Sequence, residues 1–227
     1  MSRRARDLIL ARDQGSSSSR ALVFDLRGRV VCSAQRPVKI HRSPGGRVEH
    51  EPSELVKTMT ACLDGVLSRL NAADKVHAAG LAAQRSTVVF CDRSSLEPVA
   101  RAPSWMDARA EADMGALQGR QGEIHDKTGL YATPYYSAPK IRWFLERDAK
   151  VRALADGGRL LCAPVSTYLA AHLTKDRRVA VDPTCAQRML LMNLENAAWD
   201  AGLLSLFGLS QECLPPIDSS AGGWGQI

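Results

Sequence analysis

The chain has 227 residues, of which 45% are hydrophobic and 24% are charged. It is long enough to bury a sizeable core, and this composition excludes a largely disordered protein. The formal net charge of +6 is scattered apart from the opening SRRAR, and aromatic residues make up only 5% of the chain. No basic stripe is interleaved with aromatic residues, so nucleic acid is not an expected partner.

The cysteines are widely spaced, contain no CxxC pair and have no paired histidines nearby, which argues against a zinc site. They are Cys32, Cys62, Cys91, Cys162, Cys185 and Cys213. In a chain of this size such spacing favours reduced, buried thiols. The five histidines also lack metal-ligand spacing and are predicted to be structural. The longest apolar run near the N-terminus, LILA, is too short for a membrane span, so we expect a soluble, cytoplasmic protein with no membrane partner.

Residues 7–36 predict a meander of three antiparallel strands. The runs LILA and ALVFDL flank a glycine–serine turn, DQGSSSSR at 13–20, and RVVCSAQ follows a turn at Arg27-Gly28. A helix is then predicted from Pro52, with helical spacing of Leu55, Met59, Cys62, Val66 and Leu70. Next, KVHAAGLAAQ predicts a buried strand and TVVFCD an adjoining strand.

From residue 107 the pattern is mostly helical, in MDARAEADMGALQGR, GEIHDKTG and SAPKIRWFLERDAKVRAL. A strand, RLLCAPV, precedes the helix STYLAAHLTK, and QRMLLMNL has extended character before a last helix in DAGLLSLFGL. Strands and helices alternate throughout. The predicted class is therefore α/β, with a mixed β-sheet flanked by helices.

The glycine–serine turn is neither a P-loop, which needs Gly-Lys-Ser/Thr before a helix, nor a dinucleotide-binding GxGxxG turn. An Asp-x-Gly-Ser/Thr-Ser/Thr hairpin between the first two strands indicates the ribonuclease H-like fold of the actin and sugar-kinase superfamily. There the turn binds nucleotide phosphates. Glycine lets backbone amides converge into an anion nest, hydroxyls add donors, and an aspartate holds the water shell of a metal.

Seven segments together resemble one family, the FGGY carbohydrate kinases and in particular the glycerol kinases. The first is LILARDQGSSSSRALVFDLRGRVVCSAQR, and the others are GRVEHEP, GLAAQRSTVVFCD, SWMDARA, KTGLYATPYYSAPKIRWFL, DPTCAQRMLLMNL and WDAGLLSLFGLSQECLP. The resemblance implies transfer of the γ-phosphoryl group of ATP to a hydroxyl of a small polyol or sugar, with Mg²⁺ as cofactor. It also makes a homodimer one expected arrangement.

By this resemblance the turn binds ATP through Asp13, Gln14, Gly15, Ser16, Ser17, Ser18 and Arg20. The serines contact the phosphates, Arg20 supports the phosphate charge, and Asp13 helps to place Mg²⁺. The alternative for Asp13 and the serines is a plain capped turn.

The resemblance places the acceptor pocket at Gln84, Arg85, Ser86, Trp105, Asp107 and Tyr135. Because Arg85 follows a strand predicted to be buried, either a polar ligand or an internal ion pair must face it. Trp105 and Tyr135 are either pocket residues or ordinary core aromatics. Asp107 either contacts the substrate or caps the helix that follows.

Two residues depart from the family pattern. Ser86 stands where glycerol kinases have the glutamate of a QRE motif. Loss of a charged acceptor costs roughly 1.5 to 3 kcal/mol, or about tenfold to hundredfold in affinity, which argues against a standard glycerol pocket. Arg12 stands where the family strand carries an apolar residue, and either pairs with Asp13 or reaches the phosphates.

In this family the general-base aspartate lies in a second domain. We therefore interpret residues 1–227 as the N-terminal FGGY kinase domain, with the C-terminal adenosine-binding domain absent and no general base in this chain. A missing general base typically costs 10² to 10⁴ in rate, so the isolated chain is expected to be inactive. The alternatives are a non-catalytic nucleotide-binding or interaction module of the actin-like superfamily, and a fragment whose partner chain supplies the second half.

Overall fold

The computed structural model describes residues 6–226, so Arg3 and Arg4 of the opening SRRAR lie outside the described part of the chain. The described chain forms two compact units. The first comprises the residues up to Ile40 together with Ser53–Gln84, and the second comprises His41–Pro52 and the residues from Arg85 onward.

The strands are β1 (Asp7–Gln14), β2 (Ser18–Asp25), β3 (Val30–Pro37), β4 (His41–Ser43), β5 (Arg47–His50), β6 (Lys75–Ala83), β7 (Val88–Asp92), β8 (Ala102–Pro103), β9 (Leu160–Pro164), β10 (Met192–Asn193) and β11 (Ala198–Trp199). The helices are α1 (Pro52–Leu67), α2 (Gln121–Thr128), α3 (Ser137–Arg147), α4 (Ala149–Asp156), α5 (Val165–Leu173), α6 (Pro183–Gln187) and α7 (Ala201–Phe207). Two 3-10 segments span Glu111–Arg120 and Gln211–Cys213.

The first unit is a four-stranded mixed sheet in the order β3-β2-β1-β6. β1, β2 and β3 are antiparallel neighbours, which confirms the predicted meander, and β6 runs parallel to β1. Residues alternate along β1, and Leu8 and Leu10 are buried on one face of the sheet. This period of two is what a sheet with one covered face requires.

Helix α1 supplies the apolar stripe of the first unit. Leu55, Met59, Cys62 and Val66 are completely buried, as predicted from their spacing. Full burial of a leucine or methionine side chain contributes roughly 1.5 to 3 kcal/mol. The helix ends at Leu67, so Leu70, predicted as its last apolar position, lies beyond it.

Strand β6 confirms the predicted strand, but the prediction that it is buried is wrong. Residues 75–80 are all exposed, and β6 lies at the edge of the sheet. The next strand, β7, pairs antiparallel with β9 rather than adjoining β6. A run rich in alanine and glycine satisfies the apolar pattern without the bulky side chains that would form a core, and the pattern alone does not assign a strand's neighbours.

The second unit contains the antiparallel sheet β4-β5-β8, the pairs β7-β9 and β10-β11, and most of the helices. Its core includes Phe90 and Phe144, whose ring centroids lie 4.4 Å apart. The long helix predicted from SAPKIRWFL onward is two helices, because Asp148 has an extended backbone and its side chain caps α4.

Two further predictions differ from the structure. The segment after residue 107 forms a 3-10 helix only from Glu111 to Arg120, and the QRMLLMNL segment is strand only at β10.

Between residues 6 and 226, no helix has the length and apolar character needed to cross a membrane.

Candidate functional site

The glycine–serine segment is a hairpin turn between β1 and β2. The Gly15 amide donates to the Ser18 carbonyl at 2.9 Å, which closes a two-residue loop of Ser16 and Ser17. A Cβ at Gly15 would lie 3.3 Å from the same carbonyl oxygen, so glycine allows this close approach. Gly15 does not have a positive φ. The turn therefore needs glycine at position 15 for the close approach to Ser18, and not for the backbone freedom that the predicted anion nest assumed.

Neutral side chains hold the turn from behind. Gln14 and Ser19 are completely buried, and the Ser19 hydroxyl donates to Gln14 Oε1 at 2.8 Å and lies 2.7 Å from Thr58 Oγ1. Ser18 is also buried, whereas Ser17 is exposed. Because the buried polar atoms satisfy one another, the loop is fixed without a charged residue in its support.

Asp13 and Arg20 face each other across the hairpin. Their side chains form a salt bridge of 3.2 Å and are 41% and 47% exposed. An exposed pair of this kind contributes at most about 1 kcal/mol, so either partner can be exchanged for another charge at little cost. Arg12 does not pair with Asp13; its Nε donates to the Gly80 carbonyl at 3.4 Å.

Gln84, predicted for the acceptor pocket, lies beside the hairpin turn. Its amide donates to the Gln14 carbonyl at 2.8 Å, and its Oε1 accepts from Ser16 Oγ at 3.4 Å. The structure therefore groups Gln84 with the predicted phosphate-binding residues of the first unit.

The other predicted acceptor residues belong to the second unit, and three of them are accessible. Arg85 is exposed and forms no salt bridge with any described residue, so the argument from a buried guanidinium was wrong. Trp105 is 45% exposed and Tyr135 is 47% exposed. Neither is therefore an ordinary core aromatic.

Asp107 lies inside the fold. It is completely buried and accepts from the Val48 amide at 2.7 Å and from Arg109 Nε at 2.8 Å. Arg109 also reaches Glu49. The following 3-10 helix has no side-chain cap. The structure thus gives Asp107 neither of its two predicted roles, because its carboxylate is used to fix the SWMDAR segment.

Comparison with known proteins identifies the family. Residues 8–227 match the family model described as FGGY family of carbohydrate kinases, N-terminal domain. This chain belongs to the FGGY family. The glycerol kinase of Shewanella amazonensis is 38% identical over 220 residues, a match that covers 96% of this chain and 44% of the relative. The glycerol kinase of Thermus brockianus is also 38% identical, with 96% and 45% covered.

Solved structures of kinases share the fold. The crystal structure of Plasmodium falciparum glycerol kinase with ADP superimposes with a TM-score of 0.93 at 26% identity, covering 99% of this chain and 46% of that one. The FGGY chain thus spans less than half the length of the relatives it matches. The predicted α/β fold of the sugar-kinase superfamily is confirmed.

One buried residue of this FGGY domain with several backbone contacts was not predicted from the sequence. Lys140 in α3 is completely buried, and its Nζ donates to the carbonyl oxygens of Ser86 and Ser104 at 2.8 Å and of Tyr135 at 2.9 Å. Burial lowers the pKa of Lys140 to about 7. A signal was present, since Lys140 shares the buried side of α3 with Ile141 and Phe144.

Ser86 occupies an unusual backbone position. Its φ is 66°, in the left-handed region that non-glycine residues rarely adopt. Its hydroxyl donates to the Arg188 carbonyl at 3.2 Å, and its carbonyl accepts from Ser137 Oγ at 3.3 Å as well as from Lys140. These bonds offset the strain and fix the residue that departs from the glycerol kinase pattern.

Proposed function

We propose that this chain is the N-terminal part of an ATP-dependent kinase that transfers the γ-phosphoryl group to a hydroxyl of a small polyol or sugar. The observation that carries the proposal is the hairpin turn of an FGGY domain, with Asp13 half-exposed and Ser17 exposed on a rigid, neutral support. Hydroxyl groups donate hydrogen bonds to phosphate oxygens. Because the phosphate is charged, these hydrogen bonds are stronger than those between two neutral groups.

Mg²⁺ fits the chemistry of this turn. The Asp13 carboxylate would bind it directly or through water, in keeping with the preference of Mg²⁺ for oxygen ligands and retained waters. When bound, the ion neutralises charge on the transferring phosphates. The present partner of Asp13, Arg20, would then be released to interact with the phosphate oxygens.

The acceptor would bind to Arg85, Trp105 and Tyr135. A guanidinium donates to hydroxyl oxygens in a fixed planar arrangement, and the two accessible rings would cover the apolar C–H surface of the polyol. The general base would come from a part of the kinase outside residues 1–227. We therefore expect no turnover from this chain alone.

The proposal is tested with the full-length kinase, ATP and Mg²⁺ in an ADP-release assay over glycerol, tetritols, pentuloses and hexuloses. We expect turnover with at least one acceptor and none from residues 1–227.

Asp13→Asn is expected to lower kcat about 10² to 10³-fold, the usual cost of removing one charge stabiliser. The matched control is Asp25→Asn, at the other end of the same hairpin, where Asp25 accepts from the Arg27 and Arg29 amides. Binding of ATP without turnover on any acceptor would instead support a non-catalytic nucleotide-binding module.

Ser86 provides a test of acceptor choice. We propose that the natural acceptor is not glycerol, because a serine stands where glycerol kinases carry a charged acceptor of hydrogen bonds. Ser86→Glu is expected to lower the KM for glycerol by about tenfold to a hundredfold. Ser86→Gln, of matched size but without charge, should achieve much less. An unchanged KM in both variants would remove Ser86 as the determinant.

We also propose a reducing, cytoplasmic location, which is supported by six free cysteine thiols, five of them buried. Homodimerisation stays a prediction, and light scattering of the full-length kinase would measure it.

A further inference from the structure

Lys140 joins three segments that are distant in sequence. The carbonyls that it binds belong to residues 54, 36 and 5 positions away. Since all three accept from one nitrogen, they lie within about 6 Å of one another, twice the length of a hydrogen bond. The segments of Ser86, Ser104 and Tyr135 are thus brought together at a single atom of α3.

These three segments carry the proposed acceptor residues. Arg85 directly precedes Ser86, Trp105 directly follows Ser104, and Tyr135 is itself the third residue. The side chains of all three are accessible, whereas Lys140 is completely buried. Lys140 therefore contacts the acceptor segments through their backbone from inside the unit, and not through the side chains of Arg85, Trp105 and Tyr135.

The chemistry of the ammonium group suits this position. It has three N–H donors, and three carbonyls receive them at hydrogen-bond distance. Lys140 forms no salt bridge with a described residue. The carboxylate of Asp107 is instead bound by Arg109 at 2.8 Å.

The cost of this arrangement argues for a functional reason. Burying an ammonium costs several kcal/mol, and well-packed apolar residues of similar volume often stabilise a core at least as well as buried charges. The backbone could be tied together more cheaply by packing of the kind that Ile141 and Phe144 already provide on α3. What apolar packing does not provide is fixed orientation of three separate carbonyls.

We propose that Lys140 is the positioning residue of the acceptor pocket. By hydrogen bonds to the three carbonyls, its Nζ holds the segments of Arg85, Trp105 and Tyr135 in the mutual geometry that binds the acceptor. This inference rests on the proposed kinase function. Lys140 touches neither the acceptor nor ATP, so it acts on acceptor affinity through the backbone.

The first test separates acceptor from nucleotide. In the full-length kinase, Lys140→Met should raise the KM for the acceptor at least tenfold and leave the KM for ATP within twofold. The matched control is Lys127→Met, because Lys127 is a part-buried lysine of the same unit that binds Asp200 at 2.9 Å. It should change neither KM. Equal changes in both KM values for Lys140→Met would show a merely structural lysine and overturn the proposal.

The second test needs no turnover. In residues 1–227, hydrogen exchange of the amides at 85–88, 104–107 and 135–137 should accelerate in Lys140→Met more than elsewhere in the second unit. Lys127→Met should show no such local effect. Uniform acceleration would overturn the proposal. If the parent kinase phosphorylates no acceptor, the proposed function fails, while this experiment still decides whether Lys140 holds the three segments.

A milder variant decides the matter if Lys140→Met does not fold. Ser137→Ala removes only the second donor to the Ser86 carbonyl. It should raise the acceptor KM twofold to fivefold with the KM for ATP unchanged. An unchanged acceptor KM would then overturn the proposal.

Discussion

Each unit buries a cation, but the two cations have very different surroundings. Arg12 in β1 is only 7% exposed, donates one long hydrogen bond to Gly80, and its Nη1 atom has no partner among the described residues. Lys140 in α3 is fully buried and donates three hydrogen bonds of at most 2.9 Å. Burial lowers the pKa of both groups.

The difference shows that burial alone does not tell what a charge does. At Lys140 three separate segments have been shaped so that their carbonyls converge on the ammonium. In the strand register Arg12 lies opposite Ala21 of β2 and Leu81 of β6, neither of which offers a side-chain acceptor. We infer that Lys140 organises its surroundings and that Arg12 is tolerated at a cost in stability.

The largest effect is expected when a third buried cation is removed. Arg109 is 4% exposed and binds both Asp107, which is fully buried, and Glu49. Arg109→Met would leave the Asp107 carboxylate without its cation, so the free energy of unfolding should fall by about 3 to 5 kcal/mol. Urea denaturation measures this change. Arg101→Met, at an exposed pair with Glu51, should cost less than about 1 kcal/mol. Equal effects would show that burial of the pair does not matter.

The second prediction concerns Arg12 itself. Arg12→Leu replaces a buried cation that lacks a partner for Nη1 with an apolar residue opposite Ala21 and Leu81. The free energy of unfolding should rise by about 1 to 3 kcal/mol, the cost of an unsatisfied buried polar group. Arg36→Leu, at an exposed position in β3, should give no such gain. A loss of stability in Arg12→Leu would mean that the guanidinium has a favourable partner after all.

The third prediction is a pH dependence from Lys140. Its pKa of about 7 in the folded state lies below its ordinary value of 10.5. The unfolded chain therefore binds more protons between these values, and stability should rise with pH from about 7 to 10, by at most about 1.4 kcal/mol per pH unit. The charged groups that face Lys140 are Asp107, which raises the pKa, and Arg109, which lowers it. Denaturation of the parent and of Lys140→Met at several pH values measures the difference, and parallel curves would contradict the prediction.

Local pattern predicted much of the fold. The meander, α1, α2 and the pair of β9 and α5 follow from period, turn residues and caps, which act over a few residues. The pairing of β7 with β9 depends on residues about 70 positions apart, and the exposure of β6 depends on what covers it. Neither property is written in the local sequence.

The site shows the same division. The hairpin turn could be predicted because its chemistry is contained in eight consecutive residues. The prediction for Arg85 was wrong because it assumed that the preceding strand is buried, and that strand is exposed. Asp107 was predicted either to contact the substrate or to cap a helix, but its partners are Val48 and Arg109. The burial of Lys140 could have been predicted from its helical spacing with Phe144, but its role could not, because its three acceptors are backbone carbonyls, which every residue possesses.

The edge position of β6 has a consequence for handling the protein. Among the described residues its outer side pairs with no strand, and Val76 is 38% exposed beside a run of alanine and glycine. Open edges of this kind pair with strands of other molecules. In β6 the basic residues that oppose such pairing, Lys75 and His77, lie near one end of the strand. A preparation of residues 1–227 should therefore lose material to edge-to-edge assembly as its concentration rises, and a lysine placed at Ala79 should slow that loss.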